Sequence, residues 1–176
     1  VLFSQINVFS QEQSAYFQIG TSSESINDAM AEVKTALQNS GFKVIGEYQP
    51  GNTKNLAVVC YTHSELEKIA LDFSDRGSLA AALKVGFQKE GNSVKISMIN
   101  PMYLFYAYFI DGVEKHEKEL AKISNDAKTA MKNVGSEFTP FGGKLDKEKL
   151  QKYHYKVMMP YFKDAEELNK FDSFED

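Results

Sequence analysis

The stretch Val94–Tyr108, VKISMINPMYLFYAY, predicts a strand that passes directly into a helix. Its first residues alternate between apolar and polar side chains, as on a strand that buries one face. Asn100 is a favoured residue for a helix N-cap, and Pro101 suits the first helical position. This dipeptide therefore ends one element and begins the next, and we expect the fold to be organised around it.

Toward the N-terminus, hydrophobic spacing and turn residues predict alternating strands and helices. A capping box at Thr21 and Glu24 begins a helix over residues 23–40, and a second box at Thr62 and Glu65 begins a short helix that breaks near Asp75. The sequence predicts five strands before the junction, at residues 15–20, 42–48, 56–61, 79–89 and 94–99.

Beyond the junction, apolar residues recur every three or four positions, which predicts one long helix at roughly 102–134 with Gly112 as its weak point. Residues 139–143 (TPFGG) read as a loop, 153–162 as a strand and 164–171 as a short helix. The hairpins predict a mainly antiparallel sheet of about five or six strands covered by helices, in the α+β class. We expect a single domain, with a core at 15–101 on which residues 102–176 pack.

Composition excludes several classes of protein. The chain has 176 residues with a net charge of −4, and Arg76 is its only arginine. A nucleic-acid-binding protein would carry a basic face rich in arginine, so we expect no nucleic-acid partner. The single cysteine, Cys60, excludes an internal disulfide and a cysteine-based zinc site. No apolar run is long enough to span a membrane, so we expect no stable membrane insertion.

The first ten residues, VLFSQINVFS, are apolar and uncharged. We interpret residues 1–14 as the remnant of a signal peptide, with Val8-Phe9-Ser10 resembling a small-residue cleavage site. The alternative is an edge strand or a disordered tail. The signal-peptide interpretation predicts that the protein is periplasmic or otherwise exported.

Cys60 and His63 flank the predicted turn between a strand and a helix. A thiol near a helix N-terminus has a lowered pKa, and a nearby imidazole can act as its base, so the two could form a nucleophilic pair. The structural alternative places Leu56, Val58 and Cys60 on one strand face, with Cys60 as a small buried hydrophobic residue. His63 would then be a surface residue at the helix start.

The other two histidines are candidates for a ligand, metal or haem site. His116 lies on the apolar stripe of the long helix, where it could face a cleft or act with a carboxylate as a catalytic base. A hydrogen-bonded core histidine is favoured, because no His or Cys lies three or four positions away. His154 and Met158 would be about 13 Å apart on a strand, too far to ligate one haem iron together. We therefore expect no cofactor and no metal.

Three further features could bind an anion. Asn100 offers the N-terminus of a helix, and Arg76 could clamp a carboxylate or phosphate. Gly142-Gly143 precedes the predicted turn at Asp146 but lacks the spacing of a phosphate loop. The structural alternatives are a cap, a solvated charge and a tight turn.

Tyrosines are concentrated in two segments that we expect to meet: Tyr103, Tyr106, Tyr108, Tyr153, Tyr155 and Tyr161. Tyrosines at this density can line an apolar pocket with a few hydroxyls or an interface, and they can equally form the rim of a core that has no Trp. We predict a ligand site beside the junction formed by Asn100, Tyr103, His116 and Tyr155.

Four features follow one another along the core: a helix ending in Gly41-Phe42, a strand pair running into Val58-Val59-Cys60-Tyr61, a capped helix, and a hairpin ending at Ile99-Asn100-Pro101. In these features the core resembles the domain-of-unknown-function family 302. The resemblance implies a small α/β sandwich that is often paired as a dimer, and it implies no established activity.

The C-terminal part resembles the extension of a longer, exported branch of that family, on the runs at 138–143, 153–155 and 159–162. The family pattern carries a Pro-Cys element where this chain has Leu79-Ala80-Ala81-Ala82, so a redox or metal role tied to that element is not expected. Our functional hypothesis is a non-enzymatic domain that binds a small-molecule ligand or a partner, with a homodimer as one form. The alternatives are an enzyme using Cys60 with His63 or using His116, and a haem or metal carrier using His116 or His154.

Overall fold

A computed structural model describes residues 12–73, 76–154 and 156–159 of the chain. In this part, six strands form one sheet in the order β2-β3-β4-β5-β1-β6, and every pair of neighbours is antiparallel. The predicted α+β class is confirmed. The strands are β1 (Gln13–Ser22), β2 (Lys43–Tyr48), β3 (Leu56–Thr62), β4 (Leu83–Glu90), β5 (Ser93–Ile99) and β6 (Thr139–Leu145).

Helices cover one face of this sheet. They are α1 (Ile26–Asn39), α2 (Ser64–Ala70), α3 (Gly77–Ala80), α4 (Pro101–Tyr108), α5 (Glu117–Met131) and α6 (Lys147–Gln151), with short 3-10 turns at Pro50–Asn52 and Val113–His116. The helix boundaries differ slightly from those that the capping boxes predict. The Ser25 hydroxyl accepts from Asp28 N at 3.2 Å, and the His63 ring accepts from Glu65 N at 3.2 Å, so these residues cap α1 and α2.

The hydrophobic core lies between the helices and the inner face of the sheet. In the hairpin of β4 and β5, every second side chain points into the core, as the sequence predicts. β4 begins at Leu83 and not at residue 79, because residues 77–80 are helical. α1 packs beside α5 over the sheet. The fully buried large side chains are Ile19, Leu37, Tyr61, Leu66, Leu83, Phe87, Ile96, Met98, Phe105, Phe109, Leu120 and Met131.

The prediction of a single long helix at 102–134 is wrong. α4 ends at Tyr108, where Phe109 leaves the helical conformation with ψ of 73°, and Gly112 turns the chain at φ of +93°. Phe109 instead stacks on Phe73 at 4.4 Å and on Phe105 at 5.7 Å. The apolar stripe is still buried on both sides of the break. The spacing therefore predicts the buried positions correctly, although the helix is interrupted.

The C-terminal prediction is also wrong in part. Residues 139–143, expected as a loop, belong to β6, which pairs with β1 and takes one edge of the sheet. The strand predicted at 153–162 is absent from its described residues, where the chain forms bends and turns and Met158 is almost fully exposed. Residues 1–11 of the predicted signal peptide and the helix predicted at 164–171 lie outside the described residues. Across the described ranges, no helix is both long and apolar enough to cross a membrane.

Candidate functional site

A cavity of about 230 Å³ lies where α4, α6 and the ends of β1 and β5 meet. We call it the tyrosine pocket, and it is lined by Ala15, Tyr16, Ile99, Tyr103, Leu104, Ala107, Tyr108, Leu150 and Tyr153. Four of these nine residues are tyrosines and the other five are aliphatic. Of the two tyrosine segments expected to meet, the described members Tyr103, Tyr108 and Tyr153 do so here.

Among the lining residues of this pocket, only the tyrosines carry a polar side-chain group. Burial raises the pKa of Tyr103 above its ordinary value, and the nearby phenols of Tyr153 and Tyr16 raise it further. Like an ordinary tyrosine hydroxyl, that of Tyr103 is protonated at neutral pH and can act as a hydrogen-bond donor. Tyr16 is fixed at the rim because its ring stacks on Phe141 at 5.3 Å.

Short-range interactions hold α6 against α4 and so complete the pocket wall. Asp146 caps α6 by accepting from Lys149 N at 2.8 Å, which begins the helix one turn before Leu150. Gln151 donates from Nε2 to the Ile110 carbonyl at 3.2 Å, just beyond α4. These contacts place Leu150, which is buried, at the wall of the tyrosine pocket.

Asn100 does not line the tyrosine pocket, and its side chain does not cap α4. Its Nδ2 group donates to Ser14 O at 2.8 Å and to Gln13 Oε1 at 3.1 Å, so the side chain ties the junction to β1. It faces a second cavity of about 480 Å³ between α5 and strands β1 and β6. We call this cavity the polar groove. Its lining includes Ser14, Phe17, Asn100, Tyr106, Ser124, Asn125 and Lys128.

His116 lies apart from both cavities. Its Nε2 is 2.9 Å from Asp72 Oδ2, and its ring packs edge-on to Phe73 at 5.9 Å. The histidine is partly buried and the carboxylate is largely exposed. A carboxylate that orients an imidazole is one component of a general base, but this pair also links the end of α2 to the turn before α5. His116 lines neither the tyrosine pocket nor the polar groove.

The structure does not bring Cys60 and His63 together. Cys60 pairs across the sheet with Lys84 on the face that the helices leave open, and it is only partly buried. His63 packs on Phe42 at 5.3 Å, and Phe42 in turn contacts the buried Tyr61 of the helix-covered face. The expectation that Cys60 is buried is therefore wrong, because the alternate residues of β3 face the core.

Arg76 and His154 line neither the tyrosine pocket nor the polar groove. Arg76 is partly buried immediately before α3, and Tyr155 lies outside the described residues. The His154 ring contacts its own chain, with Nδ1 2.7 Å from Lys156 O. No group of three or more His, Cys, Asp or Glu residues that could hold a metal ion occurs within 12–73, 76–154 or 156–159.

Gly142 and Gly143 do not form an anion-binding loop. Both have positive φ, at +82° and +86°, and they lie within β6 where its register against β1 shifts by a bulge. A Cβ on Gly142 would lie 2.7 Å from the Tyr16 ring. The glycine therefore allows β6 to approach the tyrosine at the rim of the pocket.

The open face of the sheet carries a shallow groove of about 470 Å³ that adjoins the tyrosine pocket. The two cavities share Tyr16 and Ile99, which are directly paired across β1 and β5. Small residues at Gly86 and Ser97 form the middle of the groove, and this pair is also in register. A molecule bound in the tyrosine pocket thus has an apolar surface onto which it can extend.

Comparison with known proteins finds a solved structure with a similar fold. No protein-family model and no curated protein matches the chain. Among solved structures, the crystal structure of the uncharacterized conserved protein DUF302 from Bacillus stearothermophilus is similar with a TM-score of 0.51 and 13% sequence identity. The likeness covers 70% of this chain and 97% of that one. At this identity it shows the fold alone, and it supports the DUF302-like core drawn from the sequence.

Proposed function

We propose that the protein is a non-enzymatic binding module that holds a small aromatic molecule in the tyrosine pocket. The observation that carries the proposal is an apolar cavity of about 230 Å³ with four tyrosines in its wall. An apolar cavity of about 150 Å³ in another protein accepts benzene, so this volume suits a molecule of one or two rings. Tyrosine rings pack on such a molecule by offset or edge contacts.

The hydroxyl groups define the second property of the ligand. A tyrosine hydroxyl is protonated at neutral pH, and we propose that the Tyr103 hydroxyl donates a hydrogen bond to the ligand in an otherwise apolar site. A ligand with one accepting oxygen or nitrogen would satisfy it. Binding rather than catalysis is proposed because the wall contains only aliphatic and phenolic side chains, and Cys60, His63 and His116 all lie elsewhere.

Titration with small aromatic probes, followed by ¹H–¹⁵N correlation spectra, tests this proposal. Phenol is expected to shift the amide signals of Tyr103, Ala107 and Leu150 and to reach saturation. Toluene has the same shape without the hydroxyl, and it is expected to bind about fivefold more weakly, because a hydrogen bond contributes about 1 kcal/mol. Unchanged signals at these positions with both probes would refute the proposed site.

The sequence supports proposals about two further properties, the cellular compartment and the oligomeric state. We propose that the protein acts outside the cytoplasm, which the apolar and uncharged residues 1–10 support. Cell fractionation followed by mass spectrometry of the mature N-terminus tests the proposal, and full-length chain in the cytoplasm would contradict it. The homodimer stays a prediction, and sedimentation over a series of concentrations decides it.

A further inference from the structure

The shallow groove of about 470 Å³ on the open face of the sheet, which we call the open-face groove, carries positive charge. Its lining includes two lysines, Lys84 and Lys95, and none of the described residues that line it is an aspartate or glutamate. The chain as a whole has a net charge of −4, so the groove differs from it in sign. Such a groove attracts an anion, and its apolar side chains favour an anion that also has an apolar part.

One of the two lysines is already neutralised by a carboxylate. Lys95 Nζ lies 2.8 Å from Glu90 Oε1. Lys84 is exposed and forms no ion pair with any residue in 12–73, 76–154 or 156–159. Its partner in register on β3 is the uncharged Cys60. Lys84 is therefore the cation of the groove that a bound anion can pair with.

The register of the sheet connects Lys84 with the tyrosine pocket. β4 and β5 pair Val85 with Met98, and one residue further the same antiparallel register sets Lys84 opposite Ile99. Ile99 lines both the open-face groove and the tyrosine pocket. Lys84 thus lies on the strand beside a residue of the pocket wall, and its flexible four-carbon side chain can turn toward the mouth of the pocket.

The tyrosine pocket itself supplies no cation, because its lining residues are tyrosines and aliphatic residues. A carboxylate attached directly to a ring in this pocket would leave water without gaining a partner, which is unfavourable. A carboxylate at the end of a short flexible chain could instead leave the pocket past Tyr16 and Ile99. The surface beyond them is low, since the paired residues Gly86 and Ser97 are small.

We propose that the ligand of the tyrosine pocket is an aromatic carboxylic acid whose ring and carboxylate are joined by a short flexible chain. The ring lies in the pocket, the chain crosses the rim at Tyr16 and Ile99, and the carboxylate pairs with Lys84. This inference rests on the function proposed above and adds the charge of the ligand to it. Because Lys84 is exposed, water screens the pair, and its contribution to affinity is about threefold.

Titration of the full chain with two matched probes, followed in ¹H–¹⁵N correlation spectra, tests the inference. 4-Phenylbutanoate and 4-phenylbutan-1-ol have the same ring and chain, and they differ in the charge of the terminal group. Both are expected to shift the amide signals of Ala107 in the pocket and Gly86 in the groove. The acid is expected to bind about threefold more tightly than the alcohol. Equal affinities, or tighter binding of the alcohol, would overturn the proposal.

Two variants identify the lysine that is responsible. Lys84→Met keeps a long side chain and removes its charge, so the acid and the alcohol are expected to bind this variant equally. Lys118→Met removes an exposed lysine of α5, on the helix-covered side, and is expected to keep the threefold preference. Well-dispersed spectra of each variant show that it is folded. A preference for the acid that persists in Lys84→Met would contradict the proposal.

Phenol separates a failure of this inference from a failure of the proposed function. Phenol has no carboxylate, so it is expected to bind the unmodified chain and Lys84→Met equally. Phenol binding without a preference for the acid over the alcohol would overturn this inference alone. An absence of phenol binding would refute the tyrosine pocket as the ligand site. A Lys84-dependent preference for the acid would then place the probe on the open face alone, and the proposed joint site would be wrong.

Discussion

Enlarging Ala107 tests directly whether the tyrosine pocket is an open cavity. Ala107 is partly buried on α4 and lines the pocket. Leucine adds three carbon atoms, and burying each contributes about 0.8 kcal/mol, or about 2.4 kcal/mol in total. Fixing the leucine side chain costs about 0.5–1 kcal/mol. We therefore expect Ala107→Leu to raise the free energy of unfolding by about 1.5 kcal/mol.

The assay is chemical denaturation followed by circular dichroism, with the midpoint and slope fitted separately. The midpoint is expected to rise with no change in slope, which identifies a change in stability alone. Ala31→Leu is the matched control, since it makes the same substitution on the exposed side of α1 and is expected to stay within about 0.5 kcal/mol. Ala107→Leu is also expected to lose phenol binding, because its side chain would fill the tyrosine pocket.

A loss of stability in Ala107→Leu would refute the reasoning. Overpacking a filled core costs about 1–3 kcal/mol, so a fall of that size would show that the pocket has no room for the side chain. Unchanged phenol binding in a stabilised variant would contradict the proposed ligand site, although the cavity itself would be confirmed.

Two further predictions concern the scaffold around the pocket. Gly135→Ala is expected to lower the free energy of unfolding by about 1–3 kcal/mol, because a Cβ there would lie 2.5 Å from Ile19 O. Gly46→Ala is the control and should change stability little, because a Cβ there would have no atom within 4 Å. Equal effects of the two substitutions would contradict the packing. Asp146→Asn is expected to lower Tm at neutral pH, because hydrogen bonds from the Lys149 backbone and side chain hold the pKa of the carboxyl below its ordinary value. This contribution is present above the ordinary pKa and is lost as pH falls through the lowered one, so the Tm difference should shrink as the solution is acidified and vanish once the carboxyl is protonated. A difference that stayed constant from neutral to acidic pH would count against it.

The sequence predicts well those elements whose hydrophobic pattern is unambiguous. The hairpin of β4 and β5 alternates cleanly from Leu83 onward, and its buried face is as expected. β3 has apolar residues at successive positions, so alternation does not show which face is buried. The packing of Phe42 on Tyr61 determines the face, and Cys60 consequently lies on the open side.

Tertiary contacts explain the other differences. The apolar spacing continues through residues 109–116, but stacking on Phe73 and the left-handed turn at Gly112 interrupt the helix. Gly142 and Gly143 resemble a loop, yet they form a bulge that lets β6 cover the edge of the sheet.

The candidate sites were predictable only in part. The density of tyrosines indicates a pocket, and the two segments meet as expected, but Tyr16 and Leu150 join the wall through long-range contacts. Asn100 is prominent in the sequence as a helix cap, whereas its side chain binds β1 and faces the polar groove.

The most direct test of the account is a measurement of nuclear Overhauser effects between bound phenol and the methyl groups of the protein. Binding in the tyrosine pocket predicts cross-peaks from the phenol ring to the methyl groups of Leu104, Ala107 and Leu150, which surround the cavity. Cross-peaks confined to Leu56 and Val58 on the open face, or an absence of cross-peaks to any methyl group, would contradict the claim that this pocket binds the ligand.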